Sequence, residues 1–232
     1  MNKIFAIGDL HLPGPDDKSM DMFGAHWRDH FDKIREDWLA RVGADDLVLI
    51  PGDISWAMTR EQARPDIEAI LALPGKKVIL RGNHDYWWDS ISRVREMLGP
   101  DATALQNDCY IFGDTVICGT RGWLCPQRKE FTKQDQKIYD REGVRMRLSL
   151  EDARKKAPGL LPRVMMHYPP FNSFEERTVF VELFEEFGVT DVIYGHLHSL
   201  TNEQRPFEGT LNGVRYRLVA CDYLRFRLLE WV

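Results

Sequence analysis

The chain has 232 residues, of which 44% are hydrophobic and 29% are charged, the composition of a globular protein large enough for one sizeable core. Its net charge of −5 gives no long-range attraction to nucleic acid or to an anionic membrane, so we expect neither as a partner. No apolar segment approaches membrane-spanning length and the apolar N-terminal segment is too short for a signal peptide, so we expect a cytoplasmic protein.

Short apolar runs alternate with amphipathic, charged segments along most of the chain. Five apolar runs predict buried strands: KIFAIG (3–8), DLVLIP (46–51), KKVIL (76–80), RVMMH (163–167) and DVIYG (191–195). Four segments predict helices: 26–42, 59–73, 89–98 and 176–188, the last with apolar residues at helical spacing. This alternation indicates a parallel or mixed sheet with helices on its faces.

Two regions depart from the alternation. The segment 104–123 predicts a β-hairpin with FGDT as its turn, and the C-terminal segment 210–232 predicts strands around LNGV. We therefore expect a second sheet packed against the first. Residues 12–24 and 122–135 are predicted to be long loops, which are often functional. Because no repeat or linker interrupts the chain, residues 1–232 are expected to form a single domain.

The four cysteines show no C-x-x-C spacing, and two of them lie in apolar, strand-like runs. Buried free thiols are therefore favoured over disulfides or a thiolate zinc cluster.

Each of the five predicted strands is followed by side chains that can bind a metal ion. In chain order they are Asp9 and His11; Asp53; Asn83, His84 and Asp85; His167; and His196 and His198. Five of the seven histidines thus stand at strand ends. Ligands bind just beyond the carboxyl ends of the strands in an open α/β sheet, so these side chains are expected to converge on one edge.

The spacing and chemistry of these residues support one site. The partners in Asp9-x-His11 and in His196-x-His198 stand two residues apart, which places both side chains on one face of an extended segment. Glycines directly before Asp9, Asp53, Asn83 and His196 allow the chain to turn where a side chain would crowd the site. Histidine, aspartate and asparagine ligands suit manganese, iron, zinc or cobalt.

Each motif also has a structural interpretation when taken alone. An Asp after a glycine is often a turn or a helix cap, GNHD is compatible with a hairpin turn, and His167 could be a core histidine. Five such motifs in order at five strand ends favour the functional interpretation.

The motifs Asp9-x-His11, Gly52-Asp53, Gly82-Asn83-His84-Asp85, His167 and Gly195-His196-x-His198 together resemble the calcineurin-like metallophosphoesterase superfamily. The resemblance runs through residues 3–198. It implies an α/β fold, a four-layer αββα sandwich of two mixed β-sheets flanked by helices, with a dinuclear metal site at the carboxyl-terminal edge of the strands. It further implies that Asp9, His11, Asp53 and His198 hold one metal and that Asp53, Asn83, His167 and His196 hold the other, with Asp53 bridging.

The same resemblance implies a metal-dependent phosphohydrolase that acts on a small phosphomonoester or phosphodiester, with nucleotides among the candidate substrates. Two divalent transition-metal ions would be the cofactors, with manganese as first choice and iron, zinc, cobalt or nickel as alternatives. A hydroxide bridging them would attack phosphorus in line. His84, which faces the substrate phosphate in the family, would assist the leaving group, and Asp85 would hold its imidazole in the right tautomer.

Local sequence features indicate which branch of the family the chain resembles. The Asp-Arg-Gly motif of serine/threonine protein phosphatases is absent after Asp53, and Trp56 stands where purple acid phosphatases have a tyrosine. The segments GDISWAM, LPGKKVILRGNHDYWW and GTRGW resemble a small bacterial branch of predicted phosphohydrolases. The resemblance supplies no substrate for that branch. A metal-binding scaffold or regulatory protein with a weak or silent site is the alternative function.

Three further interpretations stay open. Arg121 is a candidate substrate contact or, equally, a surface arginine in a salt bridge. Trp56, Trp87, Trp88 and Trp123 could stack on a base or shape a pocket wall, although core packing is favoured for Trp87 and Trp88. The oligomeric state is not indicated.

Overall fold

In the computed structural model, which describes residues 2–16, 20–126, 131–171, 177–198 and 206–231, two mixed β-sheets lie face to face with helices on their outer faces. The first sheet has the strand order β11-β1-β2-β3-β4, and the second has the order β5-β6-β7-β8-β10-β9. The four-layer αββα arrangement predicted from the sequence is thereby confirmed.

The first sheet is parallel except at one edge, where β11 runs antiparallel to β1. Its strands are β1 (Ile4–Ala6), β2 (Leu47–Ile50), β3 (Lys76–Ile79), β4 (Ala102–Ala104) and β11 (Leu229–Glu230).

The second sheet has four central parallel strands and an antiparallel strand at each edge. Its strands are β5 (Cys109–Phe112), β6 (Thr115–Thr120), β7 (Pro162–Met166), β8 (Asp191–Tyr194), β9 (Gly209–Leu211) and β10 (Val214–Leu218). The predicted hairpin with its FGDT turn is β5–β6, and the predicted strands around LNGV are β9 and β10, so both predictions are confirmed.

In the described ranges, five α-helices cover the sheets: α1 (His30–Arg41), α2 (Arg60–Leu71), α3 (Ile91–Leu98), α4 (Lys133–Lys156) and α5 (Val179–Phe187). None of the helices in the described part of the chain is both long and apolar enough to cross a membrane. Helix α1 starts later than predicted, because residues 25–27 form a 3-10 turn instead of its first turn.

Side chains of the central strands alternate between two apolar cores, as the two-residue period of a strand requires. Phe5 points outward and packs in a cluster with Trp38 of α1. Its neighbour Ile4 points inward and belongs to the cluster between the sheets, with Met165 of β7 and Ile193 of β8. This inner core holds the two sheets together, so it fixes the strand ends of one sheet relative to the strand ends of the other.

Helix α4 is the largest element that the sequence interpretation missed, and the predicted loop 122–135 is wrong from Lys133 onward. Residues 127–130 of that prediction lie outside the described residues. The face that α4 buries has helical spacing but is only partly apolar, since Glu142, Gly143 and Ser149 interrupt it. Gly143 lets α5 come close, because a Cβ there would lie 3.1 Å from Val179 Cγ1. Hydrophobic periodicity therefore gave only a weak signal for this helix.

All four cysteines are free, and Cys118, Cys125 and Cys221 are buried. The prediction of free thiols is confirmed. Burial raises the pKa of Cys118 and of Cys125 to about 12, so both stay protonated at neutral pH.

Candidate metal centre

The carboxyl ends of β1, β2, β3, β7 and β8 meet at one edge of the sandwich and bring the predicted ligands together. Two groups of side chains could each hold a metal ion, with the donor atoms of each group within 4.8 Å of one another. One group is Asp9, His11, Asp53 and His198, and the other is Asp53, His167 and His196. These residues come from both sheets, so the inner core between the sheets fixes their relative positions.

The Asp53 carboxylate is shared by the two groups. Its Oδ1 accepts a hydrogen bond from the backbone N–H of His84 at 2.8 Å. Its Oδ2 lies 3.7 Å from Nε2 of His11 and 3.5 Å from Nε2 of His167. One oxygen therefore stands between a histidine of the first group and a histidine of the second, the position that a bridging ligand occupies.

In the first group, two ring nitrogens face each other beside a carboxylate. Nε2 of His11 and Nε2 of His198 are 3.1 Å apart, and Nε2 of His198 lies 3.3 Å from Oδ1 of Asp9. The backbone N–H of His196 donates to both oxygens of the Asp9 carboxylate at 3.0 Å. This contact ties the end of β1 to the end of β8.

Asn83, the fourth ligand predicted for the second ion, lies beside the second group. Its Oδ1 lies 2.6 Å from Nε2 of His167 and 2.9 Å from Nδ1 of His196. Nδ1 of His167 lies 3.1 Å from the carbonyl oxygen of Pro51, which can only accept, so the ring proton belongs on Nδ1. Nε2 of His167 then presents a lone pair to the Asn83 oxygen, an arrangement that a shared cation would stabilise.

The protonation states fit metal ligation. Burial lowers the pKa of His11 and of His167 well below the ordinary value, with neighbouring histidines lowering it further, and burial lowers the pKa of His196 to about 4. These three imidazoles are therefore neutral at neutral pH, which is the form that binds metal. Burial raises the pKa of Asp53 to about 9, and the Asp85 and Asp9 carboxylates add to the shift. A bound cation would oppose that shift and favour the carboxylate.

His198 differs from the other three because a second carboxylate holds it. Its Nδ1 lies 3.1 Å from Oδ1 of Asp222, which leaves Nε2 to face Asp9 and His11. Burial lowers the pKa of His198, but the Asp9 and Asp222 carboxylates outweigh it and raise the pKa to about 10. A metal ion bound at Nε2 would compete with that proton. The sequence interpretation missed Asp222, because it stands far from every ligand motif and its partner is revealed only by the fold.

We expect Asp222→Asn to weaken metal binding in the first group about 10- to 100-fold, the usual effect of losing a carboxylate that orients a histidine ligand. Isothermal titration of the metal-free protein with Mn²⁺ would measure this, with Asp114→Asn in the exposed β5–β6 turn as the matched control. Equal affinities in the two variants would show that Asp222 does not orient His198.

Four of the candidate ligands have an unusual backbone conformation. Asp9, His11, Asp53 and His196 have positive φ angles of 58°, 45°, 51° and 73°. Such angles are uncommon for residues with a side chain and cluster at functional sites.

Two of the predicted glycines are required by close approach. A Cβ on Gly82 would collide with the Asp53 carboxylate, and a Cβ on Gly195 would collide with the carboxylate of Asp9. Each glycine therefore lets a loop from one strand pack onto a carboxylate from another, as its place before a ligand motif suggested.

The contacts of Asp85 differ from those predicted for it from the sequence. Its carboxylate accepts hydrogen bonds from the backbone N–H groups of Asp53, Ile54, Ser55 and Gly82 and from Nε1 of Trp87. It is fully buried and makes no hydrogen bond to His84, whose buried Nδ1 has no partner among the described residues. The predicted role in orienting the imidazole is wrong, because these five donors already occupy the Asp85 oxygens. Asp85 instead joins the loop that carries Asp53 to the loop that carries Asn83.

His84 lies beside the first ligand group. Its ring is 5.7 Å from the His11 ring and 4.5 Å from the Trp56 ring, and Trp56 stacks on His11 at 4.9 Å with an interplanar angle of 23°. Burial and then the charge of His198 lower the pKa of His84, so its imidazole is neutral at neutral pH. Trp56 thus forms a wall of the site, whereas Trp87 and Trp88 are buried in the outer core as favoured from the sequence.

Arg121 does not join the metal ligands. Its guanidinium lies 4.7 Å from the centroid of the Trp123 ring and 3.9 Å from Glu142. Its carbonyl oxygen accepts the backbone N–H of Tyr168, whose ring packs at 4.1 Å on the ring of His196. One side chain therefore separates Arg121 from the second ligand group.

Comparisons with known proteins agree with this geometry. The protein of unknown function AQ665 from Aquifex aeolicus is similar in structure, with a TM-score of 0.54, 11% identity and coverage of 99% of this chain and 96% of that one. Phosphopantetheinyl hydrolase (PptH) from Mycobacterium tuberculosis is similar with a TM-score of 0.54, 13% identity and coverage of 94% and 89%. No curated protein sequence matches the chain. Residues 2–200 match the family described as calcineurin-like phosphoesterase, and this range includes every candidate ligand of both groups. The chain belongs to that family.

Proposed function

We propose that this protein is a dinuclear-metal phosphohydrolase in which residues 1–232 act as a single domain. Asp9, His11, Asp53 and His198 would hold one ion, and Asp53, Asn83, His167 and His196 the other. The observation that carries the proposal is the Oδ2 atom of Asp53, which lies between His11 and His167 at 3.7 Å and 3.5 Å. Nitrogen and oxygen donors suit several divalent transition metals, of which we propose Mn²⁺ first, with iron, zinc, cobalt and nickel as alternatives.

The substrate would be a small phosphate ester, either a monoester or a diester, with nucleotides among the candidates. Two bound ions would supply Lewis acids for the phosphate oxygens and would acidify a water molecule. His84 would assist the leaving oxygen with a hydrogen bond from its N–H, since its neutral imidazole lies beside the first group. Trp56 would support His84 by contact with its ring, and Asp85 would fix the two loops that present Asp53 and Asn83.

We expect hydrolysis of p-nitrophenyl phosphate or of its bis ester when Mn²⁺ is added to the metal-free protein, and none while EDTA is present. Release of p-nitrophenol, followed by absorbance, would measure the activity. The screen should also include nucleotides, sugar phosphates and a phosphopantetheinyl ester, since one structurally similar protein is a phosphopantetheinyl hydrolase.

The same experiment separates an enzyme from a binding protein. A chain that binds two ions but turns over neither p-nitrophenyl ester with Mn, Co, Ni or Zn would contradict the proposal. Such a result would favour a metal-binding scaffold or regulatory protein with a silent site.

A further inference from the structure

A cavity of about 380 Å³ at the same edge of the sandwich has an unusual lining: four arginines in a chain whose net charge is −5. Arg81 follows β3 and directly precedes Gly82 and Asn83. Arg121 follows β6, and Arg141 and Arg145 stand on α4. The cavity therefore lies next to the loop that presents Asn83, although none of its arginines belongs to either ligand group.

The positive charge of this cavity exceeds its negative charge. Glu142 is fully buried and is the carboxylate that three of the arginines share, at 3.9 Å from Arg121, 3.5 Å from Arg141 and 3.2 Å from Arg145. Its other oxygen accepts the hydroxyl hydrogen of Thr120 at 2.6 Å. One buried carboxylate therefore holds three guanidinium groups in place but balances only one of their charges.

The fourth arginine, Arg81, has no carboxylate partner among the described residues. Within the described parts of the chain, Arg81 makes no salt bridge, and the buried Nε atoms of Arg81 and Arg121 have no hydrogen-bond partner. Asp89 also lines the cavity, but its carboxylate is held by Arg93 at 2.8 Å and by Arg60 at 3.5 Å. The cavity thus offers N–H donors and positive charge that its own residues do not use.

Burial and the neighbouring arginines destabilise the charged form of Arg121. Burial lowers the pKa of its guanidinium, and the charges of Arg81 and Arg141 lower it further, against the opposing effect of Glu142. An anion in the cavity would relieve the repulsion and pair the unused donors. Guanidinium groups match phosphate oxygens in geometry as well as in charge, which makes phosphate the best-fitting anion.

We propose that this cavity is a second anion site, separate from the metal centre, that binds a phosphate group. The group would come from one of two sources: a second phosphate on the substrate, or a separate phosphate-bearing ligand. Only the first source rests on the proposed phosphohydrolase function.

Titration of inorganic pyrophosphate into the metal-free protein, followed by calorimetry, tests the site without any contribution from bound metal. We expect saturable binding that Arg81→Gln weakens about tenfold, as loss of a charge-assisted hydrogen bond would. Because Arg81 makes no salt bridge to any described residue, this variant is expected to fold, and its circular dichroism would be compared with that of the wild type.

The matched control is Arg147→Gln. Arg147 stands on α4 like Arg141 and Arg145, but it pairs with Glu186 at 2.7 Å through both of its terminal nitrogens and does not line the cavity. Absence of saturable binding to the wild type, or equal affinities of the Arg81→Gln and Arg147→Gln variants, would overturn the proposal.

A kinetic comparison then identifies the source of the phosphate group. The ratio of KM for fructose 1,6-bisphosphate to KM for p-nitrophenyl phosphate would be measured in Arg81→Gln and Arg147→Gln. A ratio about tenfold higher in Arg81→Gln would assign the cavity to a second phosphate of the substrate. Equal ratios, with pyrophosphate binding lost in Arg81→Gln alone, would assign it to a separate ligand. If the loaded enzyme hydrolyses neither ester, the phosphohydrolase proposal fails while the calorimetric test of the anion site still stands.

Discussion

Asp53→Asn is expected to remove bound metal from both ligand groups and to abolish phosphoesterase activity. The amide keeps the shape of the side chain and the oxygen that accepts the His84 N–H, but it removes the negative charge from the atom between His11 and His167. Loss of one partner of a buried charge pair costs about 3–5 kcal/mol. That corresponds to about 10²- to 4 × 10³-fold weaker binding of each ion.

Metal content after gel filtration, measured by plasma mass spectrometry, would show this effect, and calorimetry would give the two affinities. The control is again Asp114→Asn, which removes a carboxylate from an exposed turn. A variant at Asp53 that loses one ion and keeps the other at wild-type affinity would rule out the bridging role.

His84→Ala is expected to lower kcat by about 10²- to 10³-fold, the usual effect of removing a hydrogen-bond donor that stabilises developing negative charge, while metal content stays unchanged. The reason is position: the His84 ring lies beside His11 and Trp56 but belongs to neither ligand group. Steady-state kinetics and metal analysis on the same preparation would separate the two effects. His26→Ala, which removes an exposed histidine, is the matched control. Loss of metal from the His84 variant would instead identify His84 as a ligand.

Much of the fold and of the candidate site was predictable because both depend on local signals. The apolar runs that became β1, β2, β3, β7 and β8 are buried on both faces, so they are continuous and easily recognised. Parallel strands end at a common edge, and this rule brings Asp9 together with Asp53 in the first sheet and His167 together with His196 in the second.

The rest depends on contacts that only the folded chain reveals. Helix α4 escaped prediction because it buries Glu142 and Ser149 where an amphipathic pattern requires apolar residues. The partnership of Asp222 with His198 joins residues 24 positions apart, with no motif around Asp222. The arginine cavity combines two strand ends with a helix that had not been predicted.

Asp85 shows that neighbours in the sequence need not contact each other. Its place after Asn83 and His84 suggested a partner for the neighbouring imidazole, yet its carboxylate points to backbone N–H groups of two loops. Adjacent residues in a tight turn often point in different directions, so sequence proximity was a poor guide to contact here.

The left-handed backbone at Asp9, His11, Asp53 and His196 affects which substitutions the site would tolerate. Residues held in such sparsely populated conformations cost of the order of 1–3 kcal/mol each, although Asp tolerates the region better than His. Glycine at His11 or His196 would relieve that strain, so part of the stability lost with the side chain would be regained. A chain no longer selected for catalysis would therefore tolerate loss of its ligands at these positions early. Under the proposed function, that backbone strain is the cost of bringing these four side chains to one metal centre.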